Sequence, residues 1–253
     1  MLEIILVDRH MLNRYLVTCS FDGRLYSGWN VQVSTPTIQA TIQNAFKKIF
    51  KQEIKIYSSG RTDAGVHAEK MYFHFDFAND FDLNKILMWL NRLLPLDIRV
   101  IKIRKVSLNF HARFSAKWKI YRYKFKYNTH QFNNQYYLLI NKNEIDFSRL
   151  EEILNVFIGE HDFYNFSTKS IIKNNTIRLI KYIKIKKMKM GFEIEICGNG
   201  FLHNMVRKII AFAIDNMNNT NWRDEITKFL DKKNNVYPKK VPGYALYLKN
   251  VIY

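Results

Sequence analysis

Between residues 15 and 21 the side chains fall into two sets, Tyr15, Val17, Cys19 and Phe21 against Leu16, Thr18 and Ser20, at the two-residue period of a β-strand. Thr35-Pro36 then offers a helix start, and Ile38, Ile42, Ala45, Phe46 and Ile49 follow at helical spacing. A short strand is predicted over Glu53–Ser58, ahead of a glycine-bearing loop. Beyond the loop, Met71, Phe73, Phe75 and Phe77 line one face of another strand, with Tyr72, His74 and Asp76 opposite. Leu83, Ile86, Leu87, Leu90 and Leu94 mark a second helix stopped by Pro95, and Arg99–Val106 reads as a closing strand. The order is βαββαβ, a split βαβ or ferredoxin-like unit.

The second part of the chain repeats it. Over Ile120–Tyr127, Tyr121, Tyr123, Phe125 and Tyr127 alternate with the basic residues Arg122, Lys124 and Lys126. Ser148-Arg149-Leu150-Glu151 fits a capping box for a helix ending near Gly159. Ile177–Lys187 and Phe192–Cys197 read as strands paired across Lys189-Met190-Gly191. Leu202, Met205, Val206, Ile209, Ile210 and Ala213 form a helical stripe from Phe201, Asp224–Leu230 adds a short helix, and Ala245–Ile252 is the last strand. The expected architecture is α+β: two ferredoxin-like, RRM-like βαββαβ halves with mainly antiparallel sheets side by side and a central cleft. The boundary falls near Ser107–Phe110, giving halves of 1–107 and 108–253.

Composition agrees with a packed protein. Of 253 residues 47% are hydrophobic, with 9 Gly and 4 Pro, enough to bury a substantial core. Lys plus Arg is 40 against 22 Asp plus Glu, a net charge of +18 spread along the chain. Such a field attracts polyanions, and with no basic amphipathic anchor a nucleic acid fits better than a membrane. Cys19 and Cys197 give neither a disulfide framework nor metal-ligand spacing, and no third His or Cys accompanies His67 and His74, so no metal is expected. The apolar run Ile4 to Val7, flanked by Glu3 and Asp8, is too short for a signal peptide or a membrane span. These features describe a soluble, cytoplasmic protein.

The densest candidate chemistry is Ser59-Gly60-Arg61-Thr62-Asp63-Ala64-Gly65-Val66-His67-Ala68. Gly60 and Gly65 allow sharp turns at either end. If the segment is extended, Arg61 and Asp63 leave on one side and can pair, which favours an ionised carboxylate suited to act as nucleophile or base. A glycine-rich hairpin in which Asp and Thr cap their own backbone is the competing reading. On the helix from Phe201, His203 and Arg207 lie four apart on a face set away from the apolar stripe, where Arg207 either reaches into the cleft or stays solvated. Three of the four aromatics of Tyr121–Tyr127 are assigned to the core. Tyr121, at the start of its strand beside Lys119 and Arg122, is kept as a candidate base-stacking residue.

The residues Arg61-Thr62-Asp63-Ala64-Gly65-Val66-His67 resemble the signature of the tRNA pseudouridine synthase A (TruA) family. The likeness runs almost end to end, through Phe21-Asp22-Gly23, Tyr26-Ser27-Gly28-Trp29, Phe110 to Ala116, Tyr121-Arg122-Tyr123, Phe201 to Arg207 and Leu246-Tyr247-Leu248. It implies an isomerase acting on uridines 38, 39 and 40 of the tRNA anticodon stem-loop, without cofactor or metal, as a homodimer with tRNA as partner. By the same match Asp63 is the catalytic aspartate, Arg61 and Arg207 pair with it, Tyr121 lies against the target uracil after base flipping, and Leu246 lines the pocket. Phe21, Asn30, Ala211 and Ala245 depart from the residues usual in the family, which touches fine positioning and not the reaction. Met1–His10 extend beyond the family's usual start, making Met11 an alternative initiator. Two rivals stand beside this reading. One is a non-catalytic RNA-binding protein on the same scaffold. The other is a metal-dependent nuclease using Asp76, Asp80 and Asp82.

Overall fold

The computed structural model describes residues 12–128, 134–168, 175–231 and 237–253, so the candidate initiator Met11 lies outside the described residues. Strand β1 (Asn13–Phe21) precedes helix α1 (Ile38–Phe50), whose N-cap is Thr37 and not the expected Thr35-Pro36 step. Then come β2 (Tyr57–Ser58), β3 (His67–Phe77), α2 (Leu83–Leu93) and β4 (Ile98–Val106). The second half runs β5 (Trp118–Tyr127), β6 (Leu138–Ile140), α3 (Phe147–Asn155), β7 (Gly159–Asp162), β8 (Ile177–Met188), β9 (Gly191–Gly198), α4 (Met205–Asp215), α5 (Trp222–Leu230) and β10 (Leu246–Ile252).

The repeat read from the sequence is present in the strand order. The first half is ordered β4-β1-β3 with β2 also on β3, and the second β10-β5-β9-β8, each the same ferredoxin-like arrangement. The two sheets do not merely lie side by side. Strand β10 runs parallel to β3, with Tyr247 opposite His67 and Leu248 opposite Ala68, and joins both halves into one ten-stranded sheet. Strand β2 is shorter than the predicted Glu53–Ser58, because only Tyr57 and Ser58 pair with β3. One edge of β3 is shared: β10 takes its first residues, and β2 takes only Phe73 and His74. Ile54 and Ile56 are buried without strand pairing, so their alternation reported burial alone.

Three local readings shift for local reasons. Asp146, not Ser148, caps α3 by accepting from the Arg149 N–H at 3.0 Å. A carboxylate placed three residues ahead of that N–H competes directly with the serine for the cap. That helix stops at Asn155, and Gly159 (φ 108) instead opens the edge strand β7. The expected helix from Phe201 begins only at Met205, because Asn204 adopts a left-handed conformation (φ 63).

Two hydrophobic cores lie on one face of the sheet. One gathers Tyr123, Phe125, Leu150, Ile194 and Ile209 with Leu246. The other gathers Val17, Ile42, Phe46, Phe73 and Leu90 with Leu248. Leu246 and Leu248 share one face of β10 by the period of two, so the cores are neighbours across that strand. Tyr121 packs against both. The predicted split of the aromatic stripe follows: Tyr123, Phe125 and Tyr127 are buried, and only Tyr121 stands at the seam, half-buried. The opposite face of β5 is charged, with Arg122 paired to Glu69 and Glu193.

Candidate active site

The loop between β2 and β3 is held by backbone contacts from the loop after β1. Trp29 N–H donates to the Thr62 carbonyl at 3.1 Å, and Gly65 N–H to that of Tyr26 at 3.3 Å. The approach is so close that a Cβ on Gly28 (φ +92) would lie 2.5 Å from the Thr62 oxygen. From the other side, Gly243, in the turn before β10, would place a Cβ 2.6 Å from the Ala64 oxygen. His67 closes the clasp: its Nδ1 accepts from the Gly23 N–H at 3.2 Å, and its Nε2 donates to the Tyr244 carbonyl at 2.9 Å. Burial lowers the His67 pKa, which suits this neutral tautomer. The last residue of the signature therefore ties β1, β3 and the approach to β10 together. Of the two glycines read as turn-makers, Gly65 has φ 77, whereas Gly60 is not among the positive-φ glycines.

So clasped, the loop presents Asp63 toward the residues ahead of and within α4. His203 Nε2 lies 3.3 Å from Asp63 Oδ1, and Arg207 Nη1 lies 3.5 Å from Oδ2. Arg207 is buried and pinned: Nε donates to the Val241 carbonyl at 2.7 Å, and Nη1 to Asn204 Oδ1 at 2.8 Å. Asn204 is held in turn by donating to Thr168 Oγ1 at 2.7 Å. The left-handed Asn204 thus serves twice. It turns the chain so that His203, one residue before the helix cap, reaches the same carboxylate as Arg207. The sequence spacing of four had grouped these two side chains, but on a helix that does not extend to His203.

Tyr121 comes from β5, where its ring meets the edge of Phe201 at 5.1 Å. Burial raises its phenol pKa, and the Asp63 charge raises it further, so the ring next to the carboxylate is a neutral phenol. Leu246 is buried at the start of β10 opposite Tyr123, directly after the turn that touches Ala64. Arg61 does not join them. It is exposed and makes no ion pair with Asp63, since a turn begins at Asp63, with Val66 N–H donating to the Asp63 carbonyl, and ends the extended geometry that pairing requires.

The acidic trio of the nuclease reading is committed elsewhere. Asp76 forms a two-pronged pair with Arg14, Asp80 accepts from Tyr15 and Lys105, and Asp82 caps α2. Among the described residues no group of three or more His, Cys, Asp or Glu is placed to hold a metal ion.

Comparison with known proteins bears on the whole chain. A family model described as tRNA pseudouridine synthase matches residues 153–253. A protein of Bacillus pumilus named tRNA pseudouridine synthase A is 37% identical over 241 residues, covering 93% of this chain and 97% of its own. A protein of the same name from Borrelia duttonii is 35% identical over 244 residues, covering 96% of this chain and all of its own. Among solved structures, a chain of a Cbf5-Nop10-Gar1 complex aligns over 79% of this chain and 53% of its own at 11% identity, with a TM-score of only 0.35.

Proposed function

The chain belongs to the tRNA pseudouridine synthase A family, and from that premise we propose that it converts uridine to pseudouridine at positions 38, 39 and 40 of the tRNA anticodon stem-loop, with Asp63 as the reacting carboxylate. The observation that carries the assignment of Asp63 is its position: a carboxylate on a clasped loop, flanked by His203 and Arg207 and facing Tyr121.

The reaction breaks the bond between N1 and C1′, turns the uracil and joins C5 to C1′, with the C5 proton released and one proton taken up at N1. Atoms and electrons are then conserved, so the step needs no oxidant, reductant or group donor. A stacked base cannot rotate, so the nucleotide is flipped out and Tyr121, supported by Phe201, offers its ring to the uracil. Asp63 attacks the sugar or the ring, or removes a sugar proton. In each case a carboxylate is consumed or protonated, and Arg207 and His203 orient it. Arg61, exposed and without an ion-pair partner among the described residues, faces outward where RNA phosphates pass. The protein acts in the cytoplasm as a homodimer with one stem-loop lying across both subunits.

Tritium release from tRNA labelled at uridine C5 tests this. Wild type should release tritium, and Asp63→Asn should be slower by about 10³-fold or more. Absence of release by wild type, as a purely RNA-binding protein would give, or full release by the variant, sinks the assignment. A monomer by light scattering, alone and with tRNA, would contradict the dimer.

A further inference from the structure

Most half-buried cations of this protein have carboxylate partners: Arg14 with Asp76, Arg24 with Asp22, Arg122 with Glu69 and Glu193, Lys249 with Glu195. Lys119 and Arg178, close to the Asp63 loop and to Phe201, have no carboxylate partner among the described residues, and neither has the exposed Arg113. Lys119 precedes Tyr121 by two residues on β5, so both side chains leave the same face of the sheet. Its Nζ lies 3.2 Å from where a Cβ on Gly60 would be, three residues ahead of Asp63. Arg178, on β8, lies against Gly200, with its Nε 3.6 Å from the Cβ position there. Gly200 immediately precedes Phe201, the ring beside Tyr121. Among the described residues the Arg178 guanidinium donates only to the carbonyls of Asn175 and Ile177. Arg113 is an exposed residue of the connection between β4 and β5, its guanidinium over the Phe114 ring at 5.7 Å.

The three repel one another. Burial, Arg113 and Arg178 lower the Lys119 pKa to about 8, and burial and Arg113 lower that of Arg178. Holding a half-buried ammonium within the field of two guanidiniums, with no carboxylate partner among the described residues, costs stability. An anion placed among them removes that cost and gains charge-assisted hydrogen bonds. Resting on the functional reading above, we propose that Lys119, Arg113 and Arg178 form a cradle for one backbone phosphodiester of the RNA, the linkage beside the nucleotide taken in between Asp63 and Tyr121. The placement is suited to that group: the base and sugar occupy the seam at Tyr121 and Asp63, and the adjoining phosphate falls one strand-step away, at Lys119. Gly60 keeps its space free, since a side chain there would crowd the ammonium.

The test pairs a protein change with a substrate change. Stem-loops are made with a single charge-neutral methylphosphonate at each linkage around the target uridine, and Kd is measured for wild type, Lys119→Met, Lys119→Arg and Arg113→Gln. Lys119→Met should weaken binding of the unmodified stem-loop about tenfold, the scale of one charge-assisted contact. Lys119→Arg should recover most of it. One methylphosphonate, next to the target, should cost wild type the same factor and cost Lys119→Met nothing further. Arg113→Gln, a change on an exposed loop, should show the same non-additivity at the same linkage. The free Lys119→Met protein should melt no lower than wild type, because it loses a repelled charge. Unchanged Kd, or losses that add at every linkage, overturns the cradle. Because the cycle reads binding, its failure with intact tritium release rejects the cradle alone, whereas absent tritium release rejects the functional reading.

Discussion

Asp63 illustrates how far a single residue can be read from its neighbours in sequence. The Arg61-Thr62-Asp63 motif marked the carboxylate but suggested the wrong partner, because pairing of residues two apart requires extended backbone and the chain turns at Asp63. The actual partners are 140 and 144 residues away. His203→Ala should slow the single-turnover rate roughly tenfold, the worth of one hydrogen bond to a charge on a half-exposed side chain. The melting temperature should hardly move, and a wild-type rate would remove His203 from the site. The glycines make a sharper case. Gly28→Ala places a methyl 2.5 Å from the Thr62 carbonyl at φ +92, a strain of about 1–3 kcal/mol. It should lower the melting temperature by on the order of 5 °C and displace Asp63, so activity falls by more than stability explains. At Gly60 the added methyl meets only the flexible end of Lys119 at 3.2 Å. Thermal melts of both alanine variants decide whether close approach, and not turn-making, is what the loop requires.

At the scale of elements, the apolar periodicity located nearly every helix and long strand. It failed at ends set by competition between neighbours, as with Asp146 and Ser148 at α3 or the left-handed Asn204 at α4. Joints between elements add a pH dependence that periodicity does not reveal. His74, on β3, is buried between β2 and the connection that follows β4. Its Nδ1 accepts from the Ala112 N–H at 3.2 Å, its ring stacks on Tyr57 at 5.1 Å, and His111, Arg14 and Asp76 surround it. Burial, then repulsion by Arg14 and His111, lowers its pKa from 6.5 to about 4. Above pH 6.5 it is neutral in both folded and unfolded states, and its stabilising contribution is complete. As pH falls from 6.5 towards 4 the unfolded chain binds a proton that the folded protein refuses, and stability declines by up to on the order of 3 kcal/mol. Melting temperatures at pH 7 and pH 4.5 should therefore differ less in His74→Gln than in wild type. Equal slopes would show that the joint does not titrate this way.

For the whole molecule, +18 is a field in search of a polyanion. With several phosphates neutralised, log Kd for tRNA should rise linearly with log salt, by about 10²-fold or more between 50 and 200 mM. A flat response would exclude the basic surface as the tRNA platform. Among the described residues no helix is long and apolar enough to cross a membrane.

The sequence by itself determined the alternation of elements, their duplication into two βαββαβ units, the burial of Tyr123, Phe125 and Tyr127, and the loop that carries Asp63. Each depends on side chains a few residues apart, where the strand and helix periods act directly. Tertiary structure decided what depends on long-range choice. It gave one edge of β3 jointly to β2 and β10, and so fused two sheets into one. It brought Arg207 and His203 to Asp63 while leaving Arg61 outside, and it set Lys119 at Gly60 and Arg178 at Gly200 with no carboxylate partner among the described residues. No local pattern encodes which strand edge stays open or which charges meet across it; packing two cores against one shared strand does.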